Sequence, residues 1–150
     1  NGLDGTLLEW NFERITFEDL LKVNQVICSS SLISKALFSV VAGFPEDHSL
    51  KAWEDYALWL RIATQTDFAF VAEPLLVYRD DPSGSIRSDK VDVLTQRQAV
   101  IRNFNNWGKR QGISVFYLRK ARKQILNELL HEKTAKLRKY VAKLKKALRK

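Results

Sequence analysis

The spacing of apolar and polar residues predicts several short elements followed by two long helices. Thr16 followed by Asp19 has the form of a capping box, with Glu18 also in the first turn, so a short helix is expected from Phe17 to Val23. The stretch Gln25-Val26-Ile27-Cys28-Ser29-Ser30-Ser31 reads as a strand that ends in small polar residues. Ser34 can cap a helix running from Lys35 to Val41, which Gly43 stops. Phe44-Pro45-Glu46-Asp47-His48 reads as a loop, and a stronger helix is expected from Lys51 to Thr64. Phe68-Ala69-Phe70-Val71 and, after Pro74, Leu75-Leu76-Val77-Tyr78 give a bent or broken strand pair. Asp80-Asp81-Pro82-Ser83-Gly84-Ser85 has turn chemistry.

From Asp89 onward the pattern is helical. Val91, Leu94, Val100, Ile101 and Phe104 line one face, and Asn105-Asn106-Trp107-Gly108 is expected to end that helix. Gly112 separates it from a final long helix, in which Leu118, Ala121, Ile125, Leu126, Leu129, Leu130, Leu137, Tyr140, Val141, Leu144 and Leu148 recur at three- and four-residue steps. The change of pattern near Ser88 divides the chain into residues 1–88 and a mostly helical extension, 89–150.

Composition adds a charge split to this picture. The net charge of +8 is uneven: residues 109–150 hold 15 Lys and Arg against two Glu, a net of +13, whereas residues 1–108 have a net of −5. The basic tail suits an anionic partner, and the division points to two parts with different jobs. Apolar residues make up 45% of the chain, enough for a buried core. Cys28 is the single cysteine, so no intramolecular disulfide can form; in the run Val26-Ile27-Cys28 it reads as a small core residue. No run reaches the roughly 18 apolar residues that span a bilayer. The absence of methionine and the loop-like start Asn1-Gly2-Leu3-Asp4-Gly5 lead us to expect a piece of a longer protein.

The segment that carries candidate chemistry is Trp53-Glu54-Asp55-Tyr56-Ala57-Leu58-Trp59-Leu60-Arg61-Ile62-Ala63. Its helix is apolar almost all round; Glu54, Asp55 and Arg61 are the charges through its middle. Two adjacent carboxylates in the first turn of such a helix sit where free amides and the positive helix end favour negative charge. An ionised Asp aimed into a cleft can act as a general base. The same pair can equally serve only to cap the helix, with Arg61 pairing one of them.

Ile27-Cys28-Ser29-Ser30-Ser31-Leu32-Ile33-Ser34-Lys35-Ala36-Leu37-Phe38, then Gly43-Phe44-Pro45-Glu46, then Glu54-Asp55-Tyr56-Ala57-Leu58-Trp59-Leu60-Arg61 resembles the family 2 glycosyltransferases. Pro74-Leu75-Leu76-Val77-Tyr78-Arg79 and the Ser-containing turn after it are similar to the segment that follows in that family. The likeness covers roughly residues 15–88, in the family's order and near its spacing. It implies an α/β fold, the C-terminal half of a GT-A (Rossmann-like) catalytic domain, with the helical basic extension behind it. It also implies inverting transfer of a sugar from a nucleotide-sugar donor to a hydroxyl of a glycan, lipid-linked or protein acceptor. Asp55 corresponds to the family's catalytic base. Glu54 would position the acceptor or support the loop, Trp53 would floor the acceptor site or join the core, and Arg61 would orient the carboxylates. An Asp of ordinary pKa, about 3.9, is already ionised at neutral pH, so placement matters more than a shift. A divalent metal, Mn or Mg, is the implied cofactor of the full-length enzyme, offsetting the charge of the leaving diphosphate.

The chain departs from the family at several points. Nothing in it matches the nucleotide-binding front half or its Asp-x-Asp metal motif, so the main metal ligands are expected outside this chain. Asp80-Asp81 stand near a place where some members carry a metal-binding His; His48 and His131 form no cluster and read as surface residues. Gln96-Arg97-Gln98 resembles the start of the Gln-rich motif of processive synthases, but the closing Arg-Trp is absent, which favours single-sugar transfer. Residues 113–149 can be a helix packed on its own domain, a peripheral anchor on an anionic membrane surface, or a self-associating seam. The rival function is a non-catalytic basic helical module for an anionic surface. Nucleic acid is the less favoured target, since Phe116, Tyr117 and Tyr140 are not interleaved as stacking platforms. The expected location is cytoplasmic, peripheral on the inner membrane face.

Overall fold

A computed structural model of the chain describes residues 13–71, 73, 75 and 92–147. The chain divides into two compact units, residues 1–90 and 91–150. In the first unit the order is β1 (Arg14–Ile15), α1 (Phe17–Lys22), a 3-10 turn (Cys28–Ser30), α2 (Lys35–Val40), a second 3-10 turn (His48–Leu50), α3 (Glu54–Ile62) and β2 (Phe68–Ala69). The second unit holds α4 (Val93–Gln111) and α5 (Val115–Ala147). The sheet found among the described residues is one antiparallel ladder, Arg14 opposite Ala69 and Ile15 opposite Phe68. The turn expected at 80–85, residues 76–78 of the strand expected after Pro74, Val91 and Leu148 lie outside the described residues.

Local signals account for the short elements. The Thr16 hydroxyl accepts from the Asp19 amide, and the Asp19 carboxylate accepts from the Thr16 amide and hydroxyl, which closes the capping box of α1. Ser34 caps α2 by accepting from the Leu37 amide at 3.1 Å. Gly43 has a left-handed φ of 61°, and a Cβ there would come within 3.0 Å of the Phe38 ring. Two demands thus meet on one glycine.

Residues 25–31 do not form the expected strand. The Ser30 and Ser31 hydroxyls donate back to the carbonyls of Ile27 and Cys28 at 2.9 and 2.8 Å. These short-range bonds close a 3-10 turn in place of a ladder. The helix expected from Lys51 begins later, at Glu54, because Ala52 takes a left-handed φ of 64° that no helix can continue through.

The first core is built around α3, where every residue from Tyr56 to Ile62 is buried. Leu20 of α1, Val41 and Leu50 join it, all fully buried. Burial of each such side chain contributes on the order of 1.5–3 kcal/mol, which explains why a nine-residue helix of mixed propensity is stable here.

In the second unit, α4 runs on past the expected stop at Asn105–Gly108 to Gln111, where Gly112 caps it at a left-handed φ of 64°. Gly108 lies inside the helix instead: a Cβ there would come within 2.7 Å of Ile113 and 2.8 Å of Leu118. The small residue lets the following turn close on α4. Val100, Ile101, Phe104 and Trp107 of α4 and Leu118 and Ala121 of α5 are buried. Arg97 fixes the register with a two-pronged pair to Glu128, Nε to Oε2 at 2.7 Å and Nη2 to Oε1 at 2.6 Å.

Candidate functional site

The acidic pair sits at the mouth of the most deeply buried helix. Trp53 is the N-cap residue of α3, with its amide on the Leu50 carbonyl at 2.6 Å. Glu54 and Asp55 form the first turn and are both half-buried, whereas Tyr56 is only 1% exposed. The boundary between solvent and core therefore falls between Asp55 and Tyr56. One Asp55 oxygen, Oδ1, accepts from the Tyr56 amide at 2.6 Å, one of the amides that a helix start leaves without an in-helix partner. The aligned peptide dipoles favour negative charge there by about 0.3–1 kcal/mol.

The chain entering this turn is strained. Ala52, two residues before Glu54, carries the left-handed φ noted above, at a cost of about 1 kcal/mol or more. Strain of this kind persists where the surrounding packing dictates the geometry, and it often marks working sites.

Two long-range hydrogen bonds bring α1 and the segment after it onto α3. The Tyr56 hydroxyl donates to the Leu20 carbonyl at 2.6 Å. Trp59 Nε1 donates to the Val26 carbonyl at 3.1 Å, and the Trp59 ring meets Phe68 edge-on, with centroids 5.8 Å apart. Together they place the Cys28–Ser30 turn beside the start of α3. Cys28 is exposed, not a core residue as its apolar neighbours led us to expect, because the 3-10 turn carries it outward. Partial burial raises the pKa of its thiol, and the negative charge of Asp55 raises it further, which ties the two groups electrostatically.

Arg61 stands in the last turn of α3, six residues and about 9 Å along the axis from Asp55. It is 4% exposed, and its Nη1 donates to the carbonyls of Val41 and Gly43 at 3.4 and 3.2 Å. The guanidinium thereby fixes the turn that leads into Gly43-Phe44-Pro45-Glu46. Trp53 is half-buried, its ring 6.0 Å from that of Tyr56 and tilted by 53°. His48 and His131 are exposed.

The structure thus gathers Trp53, Glu54 and Asp55 at one end of α3 and sets the Arg61 guanidinium on main-chain carbonyls near the other. Sequence reasoning missed the Cys28 turn as a neighbour of Asp55, although three consecutive serines signal local back-bonding. It also missed the Tyr56 hydroxyl as an anchor; its signal is a phenol, which wants a partner when buried, inside an apolar helix. Among the described residues no group of three His, Cys, Asp or Glu converges to hold a metal ion. These residues do not fit a metal centre, and no chemical step is assigned to one. Among the described residues, no helix is long and apolar enough to cross a membrane.

No protein-family model, curated protein or solved structure matches the chain.

Proposed function

We propose that this chain is the acceptor-side, catalytic-base part of an inverting, nucleotide-sugar-dependent glycosyltransferase, on the C-terminal half of a GT-A-type α/β domain. The observation that carries the reading is the placement of Asp55. It is half-exposed, held by the Tyr56 amide, and set on the first turn of a helix otherwise locked in the core. A general base needs an ionised oxygen at a fixed place, reachable by substrate. In the proposed step Asp55 accepts the proton of the acceptor hydroxyl while that oxygen bonds to the anomeric carbon of the donor. The bond from that carbon to the diphosphate breaks on the opposite face, and the electron pair leaves with the diphosphate. Glu54, on the same turn, orients the acceptor, and the half-buried Trp53 ring offers it an apolar floor. Arg61 acts through the turn it fixes and is a positioning residue. Nothing in these 150 residues resembles the family's nucleotide-binding front half, so the isolated 150-residue chain is expected not to turn over donor.

The reading is tested on the full-length protein by NMR of the product anomeric centre, across a panel of nucleotide-sugars and acceptors. Transfer with inverted configuration supports it. Transfer with retained configuration contradicts a one-step displacement driven by a single carboxylate base.

A further inference from the structure

The second unit carries a surface that its own packing leaves uncovered. α5 is 33 residues long, about 50 Å at 1.5 Å per residue, whereas its partner α4 has 19. The side of α5 that faces α4 is marked by Leu118, Ala121 and the Glu128 carboxylate on Arg97. A second apolar stripe lies roughly a third of a turn away, formed by Leu126, Leu130, Leu137, Tyr140, Val141 and Leu144. All six are between 40% and 62% exposed. They fall within one narrow arc of the helix, at steps of four, seven, three, one and three residues. Exposed apolar residues scattered singly need no explanation, but six on one arc over five turns, broken only where Lys133 stands between Leu130 and Leu137, do.

The charges beside the stripe select its occupant. Residues 133–146 contain seven Lys and Arg and no acid. Lys136 and Lys143 border the stripe on one flank and Arg138 and Lys145 lie on the other, all exposed, and Lys133 lies within the stripe's arc between Leu130 and Leu137, with a stem long enough to carry its charge outward. A second copy of the helix would set Lys and Arg against Lys and Arg in either orientation. The two acids of α5, Glu128 and Glu132, already pair with Arg97 and Lys136. A nucleic acid would satisfy the cations and leave five aliphatic side chains in water, with Tyr140 as the one stacking ring in the stripe. An anionic bilayer interface satisfies both, because acyl chains take the stripe and lipid phosphates and carboxylates take the cations. We infer that α5, through the stripe from Leu126 to Leu144 and its flanking lysines, docks the protein in the plane of an anionic lipid surface. The inference rests on the second unit alone and stands apart from the transfer chemistry proposed for Asp55.

The test is vesicle flotation of the full chain at physiological salt. It compares phosphatidylcholine vesicles carrying about 30% phosphatidylserine with pure phosphatidylcholine. The parent is expected to float with the anionic vesicles and at least about tenfold less with neutral ones. Leu137→Glu/Leu144→Glu should abolish flotation. Both positions are exposed, so its circular dichroism and thermal transition should match the parent. Lys136→Gln/Arg138→Gln/Lys143→Gln/Lys145→Gln should weaken binding by more than about tenfold. A Tyr140→Trp reporter should shift its emission to the blue with anionic vesicles only. Flotation of the Glu variant equal to the parent would overturn the inference. So would a parent dimer in light scattering that the Glu variant dissolves, or tighter binding to duplex DNA than to the anionic vesicles.

Discussion

The hydroxyl of Tyr56 donates to the main-chain carbonyl of Leu20 at 2.6 Å and so ties the start of α3 to the last turn of α1. The Leu20 carbonyl belongs to the group that a helix end leaves without an in-helix partner, and the phenol completes it in a buried setting. Tyr56 follows Asp55 directly, so this bond also fixes where the carboxylate stands. Tyr56→Phe keeps the ring and removes the donor. It should destabilise the chain by about 1–3 kcal/mol, the usual cost of leaving a buried polar group unmet. Urea unfolding at constant slope checks the value; a change within about 0.3 kcal/mol would show that the bond does not hold α1 to α3.

Arg61 supports the 41–43 turn through charge-assisted bonds to two carbonyls. Arg61→Ala is expected to cost about 2–4 kcal/mol, since it strips both carbonyls and the packing of the buried stem. Arg61→Lys should recover only part of that, because an ammonium lacks the planar fork. Thermal unfolding of the two variants orders them; full recovery by Lys would show that charge alone, not geometry, is required.

The thiol of Cys28 reports on Asp55. Burial raises the thiol pKa and the Asp55 carboxylate raises it further, because a negative neighbour opposes formation of the thiolate. Removing that charge by Asp55→Asn should therefore lower the thiol pKa and speed alkylation by iodoacetamide at mildly alkaline pH. The pH profile of the alkylation rate should move to lower pH in the variant. An unmoved profile would mean that the two groups are not neighbours in solution.

The Arg97–Glu128 pair is partly buried, with side-chain exposures of 11% and 22%. Truncation of one partner leaves the other charge unmatched, so Glu128→Ala should lower stability by about 2–4 kcal/mol. Arg97→Met/Glu128→Leu, which removes both charges and keeps the volume, should lie within about 1 kcal/mol of the parent. A double-mutant cycle in urea measures the coupling, and a double variant as damaged as Glu128→Ala would show that the pair is needed for more than charge balance.

Two helix starts, those of α1 and α2, were written plainly in the sequence, whereas that of α3 was not, because the left-handed Ala52 is set by packing. Thr16 with Asp19 and Ser34 act through bonds that span three residues, so a reader of the sequence has all the participants in view. Gly43 is legible as a stop for the same reason. The misreadings share a cause. Residues 25–31 have strand-like side chains, but whether a ladder forms depends on a partner strand far along the chain, and the serines bonded locally. Asn105–Gly108 looks like a terminus, yet α4 continues because Ile113 and Leu118 close over Gly108. The first-turn position of Glu54 and Asp55 is visible from the apolar residues that follow them. What stands beside Asp55 is not, since the Tyr56 and Trp59 bonds that bring the Cys28 turn to it reach residues 36 and 33 positions away.

The account turns on Asp55 as the base, and one substitution addresses it. Asp55→Asn preserves size and an acceptor oxygen for the Tyr56 amide but cannot take a proton. In the full-length protein it should lower sugar transfer by about 10²–10⁴-fold while donor binding, measured by calorimetry, stays near the parent value. Transfer at the parent rate in that variant, with the fold intact by circular dichroism, would contradict the assignment.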